Sequence, residues 1–366
     1  MADETHNESE AAPVATQALE DVVAAVLQGH GVTEDDARLV ARTLVEADRR
    51  GIGSHGVMRL GIYVDRLKAG LVRARTEVTV ERETPATAVL DGHHSMGQAV
   101  AARAMRLCLE KARTAHVAAV AVRNSSHFGA AAYWALMAPD EHMIGVAMSN
   151  TAPLMPPTGG RGARIGNNPL AVAVPARHER PLVLDMATSV VALGKVLLAD
   201  KRGEPVPEGW GVTAAGEPTT DPKAILQGGF ILPVGGPKGY GLSVMVDVLS
   251  GLLAGGVVGG EVRSMYRDFT APSRIGHFFL AVDVGAFVPV EWFEDQVDAY
   301  IRYLRATPPA PGVERVMVPG EPEFLRAEAA RTTVVLPRAV LEDVRRLAAE
   351  AGVDAGLVAR LEAGPS

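Results

Sequence analysis

The stretch Asp48-Arg49-Arg50-Gly51-Ile52-Gly53-Ser54-His55-Gly56 carries, from Gly51 to Gly56, the spacing G-x-G-x-x-G. In a strand–turn–helix unit that spacing lets a pyrophosphate meet the N–H groups of a helix N-terminus. The arrangement requires a strand before the glycines, and here the preceding residues read as a helix. Thr33 with Asp36 resembles a capping box, the helix it opens runs to Arg50, and Gly51 ends it. No regular strand–helix alternation follows. A Rossmann site is therefore rejected at this position, and the glycines are read as loosening the backbone so that Ser54 and His55 line a pocket.

Upstream, Leu19, Val22, Val23, Val26 and Leu27 fall on one helical face, and Gly29 is placed to stop that helix. The residues through Ala15 include Asp3, Glu4, Glu8 and Glu10 with no apolar h-region, and are expected to form a disordered tail rather than a signal peptide. Downstream, a third helix is expected from about Val57, with Leu60, Val64 and Leu67 inward. Residues 77–82 and 87–90 are strand-like, and 99–115 form an alanine-rich helix. Short apolar runs at 117–122, 143–148, 170–174, 182–184 and 278–284 then read as strands of a central sheet. Helical patterns interrupt them at 190–199 and 242–253. Residues 290–305 and 336–361 close the chain as helices. The expected organisation is a tail over 1–15, a helical substrate segment over 16–90, a β-rich domain over 91–288, and a C-terminal helical segment over 289–366 that packs with the N-terminal part.

Composition narrows the function. The 366 residues are 48% hydrophobic and 22% charged, enough apolar material for a substantial core. A net charge of -7 argues against nucleic-acid binding, which depends on counterion release by Lys and Arg. The single cysteine, Cys108, excludes a disulfide framework and fits the reducing cytoplasm. The apolar run 240–258 contains Asp247 and several glycines, so it is expected as a buried helix and not a membrane span.

Four constellations can carry chemistry. Ser54-His55 with Arg59 comes first: if a helix begins near His55, Arg59 lies one turn on, and the two side chains share a face. A guanidinium grips a carboxylate while an imidazole moves a proton, a pairing suited to a 2-oxo or 2-hydroxy acid; the plain alternative is a solvated helix start. Asn124-Ser125-Ser126-His127-Phe128-Gly129 follows a strand, where loops carry function, or is an ordinary polar turn. Asp185-Met186-Ala187-Thr188-Ser189 stands between a strand and a helix. Thr188 or Ser189 is then a simple N-cap or part of a phosphate-receiving helix start, and Asp185 orients a histidine or binds a ribose hydroxyl. Gly235-Gly236-Pro237-Lys238-Gly239-Tyr240-Gly241 places a lysine among glycines at a helix start, an anion trap or a flexible turn. No His-x-x-x-His pair or cysteine cluster marks a metal site, and His55, His127 and His277 would converge only through the fold.

Together these segments, with Gly97-Gln98, Ser149-Asn150-Thr151, Gly166-Asn167-Asn168-Pro169 and Pro319-Gly320-Glu321-Pro322, resemble the malate/L-lactate dehydrogenase family, which is unrelated to the Rossmann-fold lactate dehydrogenases. The resemblance spans residues 22–337. It implies an α/β (α+β) fold with a non-Rossmann, β-rich nucleotide-binding central domain, flanking helical segments from both termini, NAD or NADP as cofactor, and a homodimer. His55 and His127 fall on acid/base positions, and Ser54 and Arg59 on substrate-side positions. Thr151, Leu184, Asp185, Met186, Ala187, Thr188, Lys238, Gly239, Gly320, Glu321 and Pro322 fall on cofactor-contacting positions. Gly53 and Thr158 depart from the family pattern, and both are expected to border the substrate. The implied reaction is hydride transfer between nicotinamide and C2 of a small 2-hydroxy or 2-oxo acid, with Arg59 on the carboxylate, His55 or His127 on the oxygen, and Asp185 biasing one imidazole. A cyclic imino acid such as piperideine-2-carboxylate is the alternative substrate. A metal-dependent hydrolase and a non-catalytic NAD-binding homologue are the alternatives of other classes.

Overall fold

A computed structural model describes residues 11–362. The described chain opens with strand β1 (Ala11–Ala15) and helices α1 (Thr16–Gly29) and α2 (Glu34–Arg49); two 3-10 turns, Gly53–His55 and Val57–Arg59, lead into α3 (Leu60–Lys68). There follow β2 (Thr79–Glu83), β3 (Thr87–Asp91), α4 (Gly97–Ala115), β4 (Val117–Ser125), α5 (Ala131–Ala135), β5 (Met143–Ser149), β6 (Leu170–Val174) and β7 (Leu182–Met186). A small lobe holds α6 (Leu193–Arg202), β8 (Gly211–Val212), β9 (Pro218–Thr219), α7 (Pro222–Leu226) and β10 (Phe230–Ile231). The remainder is α8 (Pro237–Ser250), β11 (Ile275–Asp283), α9 (Val290–Arg305), α10 (Glu321–Ala329), β12 (Thr333–Pro337), α11 (Arg338–Glu350) and α12 (Ala355–Ala359).

The central sheet has seven strands in the order β2-β3-β4-β11-β5-β6-β7. Only β3 and β4 run parallel, joined by α4, because a parallel neighbour needs a long crossover. Every other pair in the sheet is antiparallel, with β11 inserted between β4 and β5. Both faces of β4 are covered. Ala118, Val120 and Val122 join a core with Val100, Met105 and Trp134, whereas Ala121 packs with Phe278 and Ala254 on the α8 side. The sheet is thus neither parallel nor doubly wound, and the expected non-Rossmann α/β architecture is the one observed.

A second core lies outside the sheet. Leu19, Val22, Val26, Val40, Leu44, Leu60 and Val64 from the first three helices interlock with Val334, Leu336, Leu341 and Leu347 from the far end of the chain. Burying each such side chain contributes ~1.5–3 kcal/mol. The two chain ends are stitched by β1 and β12, paired antiparallel from Ala11↔Pro337 to Ala15↔Thr333. This corrects the expected tail: Ala11–Ala15 is a strand with Val14 buried, while residues 1–10 lie outside the described residues.

Three further expectations change. The sheet begins at Thr79 rather than at 91. Helix α9 packs through Val297 and Ile301 near Val174 and Leu182, at the β6–β7 end of the sheet, away from the core that β12 and α11 share with the N-terminal helices. Helix α8 is not buried all round. Its inward residues include Ser243, Asp247 and Ser250, with Ser243 Oγ donating to Gly166 O at 2.8 Å and Asn168 Nδ2 donating to Ser243 O at 2.9 Å. Leu242 and Met245 face outward, as do Leu252 and Leu253 in the 3-10 turn that follows. Among the described residues no helix is long and apolar enough to cross a membrane.

Candidate active site

The glycine-rich stretch is a helix exit. Gly51 turns the chain at φ 74, a left-handed conformation that favours glycine. The Asp48 carboxylate then reaches forward and accepts the Val57 N–H at 2.8 Å. Gly56 passes so close over it that a Cβ would sit 1.8 Å from Asp48 Oδ1. Burial pushes the Asp48 carboxyl up to about 7, against the Val57 hydrogen bond. No helix begins at His55, contrary to expectation. The two 3-10 turns bend Arg59 back instead, so that its Nε donates to Ser54 O at 2.6 Å while its guanidinium lies over the Tyr266 ring, 5.1 Å from the centroid.

The second histidine comes from the other layer. Strand β4 twists at Asn124, φ 51, just before its end, and the loop that follows carries Gly129 at φ 82. Gly97, in the first turn of α4, presses on this loop: a Cβ there would fall 2.2 Å from Ser126 O. The His127 and His55 rings stack with centroids 5.5 Å apart and planes 18° from parallel. Tyr63 Oη lies 2.7 Å from His127 Nδ1, and Gln98 Nε2 donates to Tyr63 Oη at 3.0 Å. Ser54 Oγ is 3.0 Å from His55 Nδ1. Tyr63, Arg66, Met96, His127, Met265 and Ser273 border a small cavity beside the rings.

Both imidazoles are neutral near pH 7. Burial pushes His55 down to about 4, and Arg59 adds to the effect. His127 lies well below its ordinary value, through burial first and then the nearby His55, Arg59 and His277. Burial likewise raises the Tyr63 phenol. The combination of a cation, two neutral imidazoles and a phenol can bind a carboxylate and exchange a proton with an adjacent oxygen.

Ser54, His55, Arg59 and His127 are therefore brought together. Asp185 is not part of that group. Its Oδ2 accepts the Ala132 N–H at 3.1 Å, and the rings are oriented instead by Tyr63, Gly129 and Ser54. The Asp185 carboxyl is open to solvent on one side and surrounded by protein on the others. This desolvation pushes it up to about 6, against the Ala132 N–H and Arg50. Thr158 stands in an exposed turn between β5 and β6, in a segment whose Arg161 approaches Gly216 of the small lobe. His277 is fully buried between Ser149 Oγ and Ser125 Oγ, each 2.9 Å away, and stacks on Phe128. Among the described residues no three His, Cys, Asp or Glu side chains group to hold a metal.

The residues expected at the cofactor form a separate chain of contacts. Thr151 Oγ1 donates to Asn167 Oδ1 at 3.1 Å, Thr188 N–H to Asn167 O at 3.1 Å, Val234 N–H to Thr188 O at 2.9 Å, and Gly239 N–H to Val234 O at 2.9 Å. Thr188 Oγ1 is buried without a hydrogen-bond partner among the described residues. Gly320, at φ 86, docks the Gly320-Glu321-Pro322 turn against Val183, next to exposed Leu184. Glu321 itself is held by Arg305, Arg315 and the Val318 N–H. Two local expectations fail. Helix α6 starts at Leu193, so neither Thr188 nor Ser189 is its N-cap. The first N–H groups of α8 bond to Gly235 O, Val234 O and Gly236 O, leaving the exposed Lys238 ammonium, and no free amide cradle, for an anion.

Tyr63, Tyr266, Arg66 and Asp48 were not singled out in the sequence. Tyr63 falls on the buried stripe of α3 with Leu60 and Val64, where an aromatic reads as core. Arg66 is buried and donates to the carbonyls of Met265, Asp268 and Ala271, which anchors the segment carrying Tyr266.

Residues 14–345 match the family described as malate/L-lactate dehydrogenase. The malate dehydrogenase of Pyrococcus horikoshii is 41% identical over 337 residues, covering 90% of this chain and 92% of that protein. Its solved structure superimposes with a TM-score of 0.87 at 38% identity, over 97% of this chain and 98% of that one. Escherichia coli ureidoglycolate dehydrogenase (NAD(+)) is 37% identical over 300 residues, covering 82% and 85%. The structure of delta1-piperideine-2-carboxylate reductase from Pseudomonas syringae gives a TM-score of 0.82 at 30% identity, covering 92% and 99%. With its family matched across 14–345 and its sheet and site as described, the chain belongs to the malate/L-lactate dehydrogenase family.

Proposed function

We propose that this protein is an NAD- or NADP-dependent oxidoreductase that transfers a hydride to or from C2 of a small 2-hydroxy/2-oxo acid. The observation that carries the proposal is the stacked pair of neutral imidazoles, His55 and His127, beside the Arg59 guanidinium. Arg59 uses its Nε on Ser54 O, which leaves its terminal nitrogens for the substrate carboxylate. That grip places C2 and its oxygen next to the imidazoles. In reduction C2 gains the hydride and the oxygen gains a proton; oxidation reverses both. His127 is the proton donor at Nε2, which has no partner among the described residues. As that proton leaves, the Tyr63 phenol passes its own to Nδ1, so the ring stays neutral and the charge rests on the Tyr63 oxygen, beside Gln98 and Arg59, until solvent returns a proton. His55, steadied by Ser54, stacks against His127.

Bound nicotinamide supplies or accepts the hydride. Thr151, Thr188, Lys238 and Gly239 would hold it on one side, and Leu184, Asp185, Met186, Ala187 and the Gly320-Glu321-Pro322 turn on the other. The orphaned Thr188 hydroxyl and the exposed Lys238 ammonium support that fit. Asp185 then serves the cofactor or ties β7 to α5, and Thr158 borders the substrate only if the small lobe closes toward the site. The helical layer that carries His55 and the sheet that carries His127 act as the two domains of the site. A homodimer would cover the outward Leu242, Met245, Leu252 and Leu253, and the single buried thiol suits the cytoplasm.

The similarity to piperideine-2-carboxylate reductase favours a second reading, reduction of a cyclic imino acid, in which the same Arg59 holds the carboxylate. An absorbance screen at the reduced-nicotinamide band tests both, with 2-oxo acids and cyclic imino acids run against NADH and NADPH. Oxidation of the cofactor by a 2-oxo acid supports the main reading, and by an imino acid alone the second. Silence across the panel refutes both, and activity lost to a chelator would favour a metal-dependent hydrolase instead.

A further inference from the structure

The Gly97-Gln98 pair that opens α4 takes no part in the steps above, yet it lies against the residues that do. A Cβ on Gly97 would fall 2.4 Å from His127 O, so the first turn of α4 lies directly on the backbone that carries His127. The Gln98 side chain is fully buried, and its Nε2 reaches Tyr63 Oη at 3.0 Å. Tyr63 Oη lies 2.7 Å from His127 Nδ1, and the Gly129 N–H points at the same nitrogen from 3.4 Å.

The direction of each hydrogen bond is fixed by chemistry. An amide N–H can only donate, and a phenol has one proton. Because the Tyr63 oxygen receives the Gln98 hydrogen, its own proton goes to His127 Nδ1. The Gly129 N–H needs a lone pair on that same nitrogen. With the Gln98 amide turned the other way, Tyr63 would donate to Gln98 Oε1, and Nδ1 would have to carry a proton facing the Gly129 N–H. Two hydrogens would then oppose each other, so the Gly129 contact identifies the first arrangement as the one present. At 3.4 Å it is too long to enforce it, and the 3.0 Å bond from Gln98 to Tyr63 is the stronger director. A neutral imidazole has one N–H, and with Nδ1 accepting, the proton resides on Nε2.

We propose that Gln98 is a positioning residue which, through Tyr63, holds neutral His127 in the Nε2–H tautomer, so that the nitrogen without a protein partner presents a proton to the bound substrate. Gln98 touches neither substrate nor cofactor; it sets the sense of the Tyr63–His127 bond. The assignment of the tautomer stands on the hydrogen bonds alone, whereas its effect on turnover rests on the proton-donor role proposed for His127.

Nitrogen NMR of the full chain labelled with 15N-histidine, with His127 identified by loss of its signals in His127→Gln, reads the tautomer directly. The wild-type ring is expected as Nε2–H near neutral pH, and an Nδ1–H ring overturns the proposal without any variant. Gln98→Glu, followed from about pH 6 to about pH 10 because a fully buried carboxyl can titrate as high as about 8–9, turns a donor into an acceptor once it ionises. Tyr63 then donates to Glu, and the His127 proton is expected on Nδ1. Gln98→Met, close in volume and lacking a donor, should let both tautomers populate, and it serves if the charged variant fails to fold. A ring still wholly Nε2–H in the folded variants overturns the role of Gln98. For turnover, kcat in Gln98→Glu is expected to fall about 10²–10⁴-fold, the range of general acid catalysis, with KM near the wild-type value. A switched tautomer with unchanged kcat would support Gln98 as the positioning residue and remove His127 as proton donor, so the two readings fail separately.

Discussion

Replacing Asp48 by asparagine tests whether the loop that carries His55 is built over a proton-holding carboxyl. Asp48 accepts the Val57 N–H at 2.8 Å beneath Gly56, and burial raises it from 3.8 to about 7. Between those values the unfolded chain is ionised at this position while the folded chain keeps its proton. The folded state binds more protons there, so this contribution to stability is fully present below pH 3.8 and is lost as pH rises through about 7. At ~1.36 kcal/mol per pH unit the full effect is ~4 kcal/mol. Asp48 is half-buried rather than sealed, and screening by water brings the expected magnitude to ~2 kcal/mol. Asparagine keeps an oxygen for Val57 and has no charge at any pH. Asp48→Asn should therefore match wild type in urea unfolding at pH 4 and exceed it by ~2 kcal/mol at pH 8. His55 and His127, whose lowered values produce the opposite trend, titrate in both proteins and cancel in the difference. Parallel stability curves for the two proteins across that range would show that Asp48 is ionised in the folded state and refute the reasoning.

Three other outcomes follow from the same geometry. His127→Ala should lower turnover about 10²–10⁴-fold while nicotinamide affinity, read by fluorescence titration, stays near wild type; near-normal turnover would remove His127 from the chemistry. Arg59→Lys loses the bond to Ser54 O and the contact over Tyr266, and kcat/KM should fall about 10–100-fold for substrates bearing a carboxylate. An equal loss on an uncharged carbonyl substrate would count against the clamp. Leu252→Asp with Leu253→Asp should shift the dimer proposed here to a monomer in light scattering, whereas an unchanged mass would place the interface elsewhere.

Reading the sequence recovered what depends on local pattern. The strand at 170–174 is legible as a short apolar run bounded by turn residues, and the helix at 290–305 by its amphipathic period. Gly51 to Gly56 was separable from a dinucleotide site because α2 precedes it, and a pyrophosphate loop needs a strand there. What escaped depends on partners far along the chain. Ala11–Ala15 is apolar but is mostly alanine with a proline, a composition of low strand propensity, and it becomes a strand because Thr333–Pro337 lies beside it. In α8 the helical period was visible but the inward face was not. Small polar residues there bond to Gly166 and Asn168, while the leucines remain outside.

The same limit explains why the histidines were found and their supports were missed. His55 and His127 stand out as titratable groups in glycine-rich loops, but each loop belongs to a different layer. His55 is held by the helices that share a core with Leu336 and Leu341, and His127 by the end of β4. What joins the layers at the site is Tyr63 from one and Gln98 from the other, meeting over His127 Nδ1. In sequence a tyrosine on an apolar stripe and a glutamine at a helix start look like packing and solvation. Only the approach of α3 to α4 makes them a hydrogen-bond relay, and Gly97 permits that approach because any larger residue would meet the backbone of Ser126 and His127. The chemistry of the pair therefore depends on how the two layers are docked. A substitution that shifts α4 by a few tenths of an ångström, such as Gly97→Ala, should damage turnover more than it damages folding.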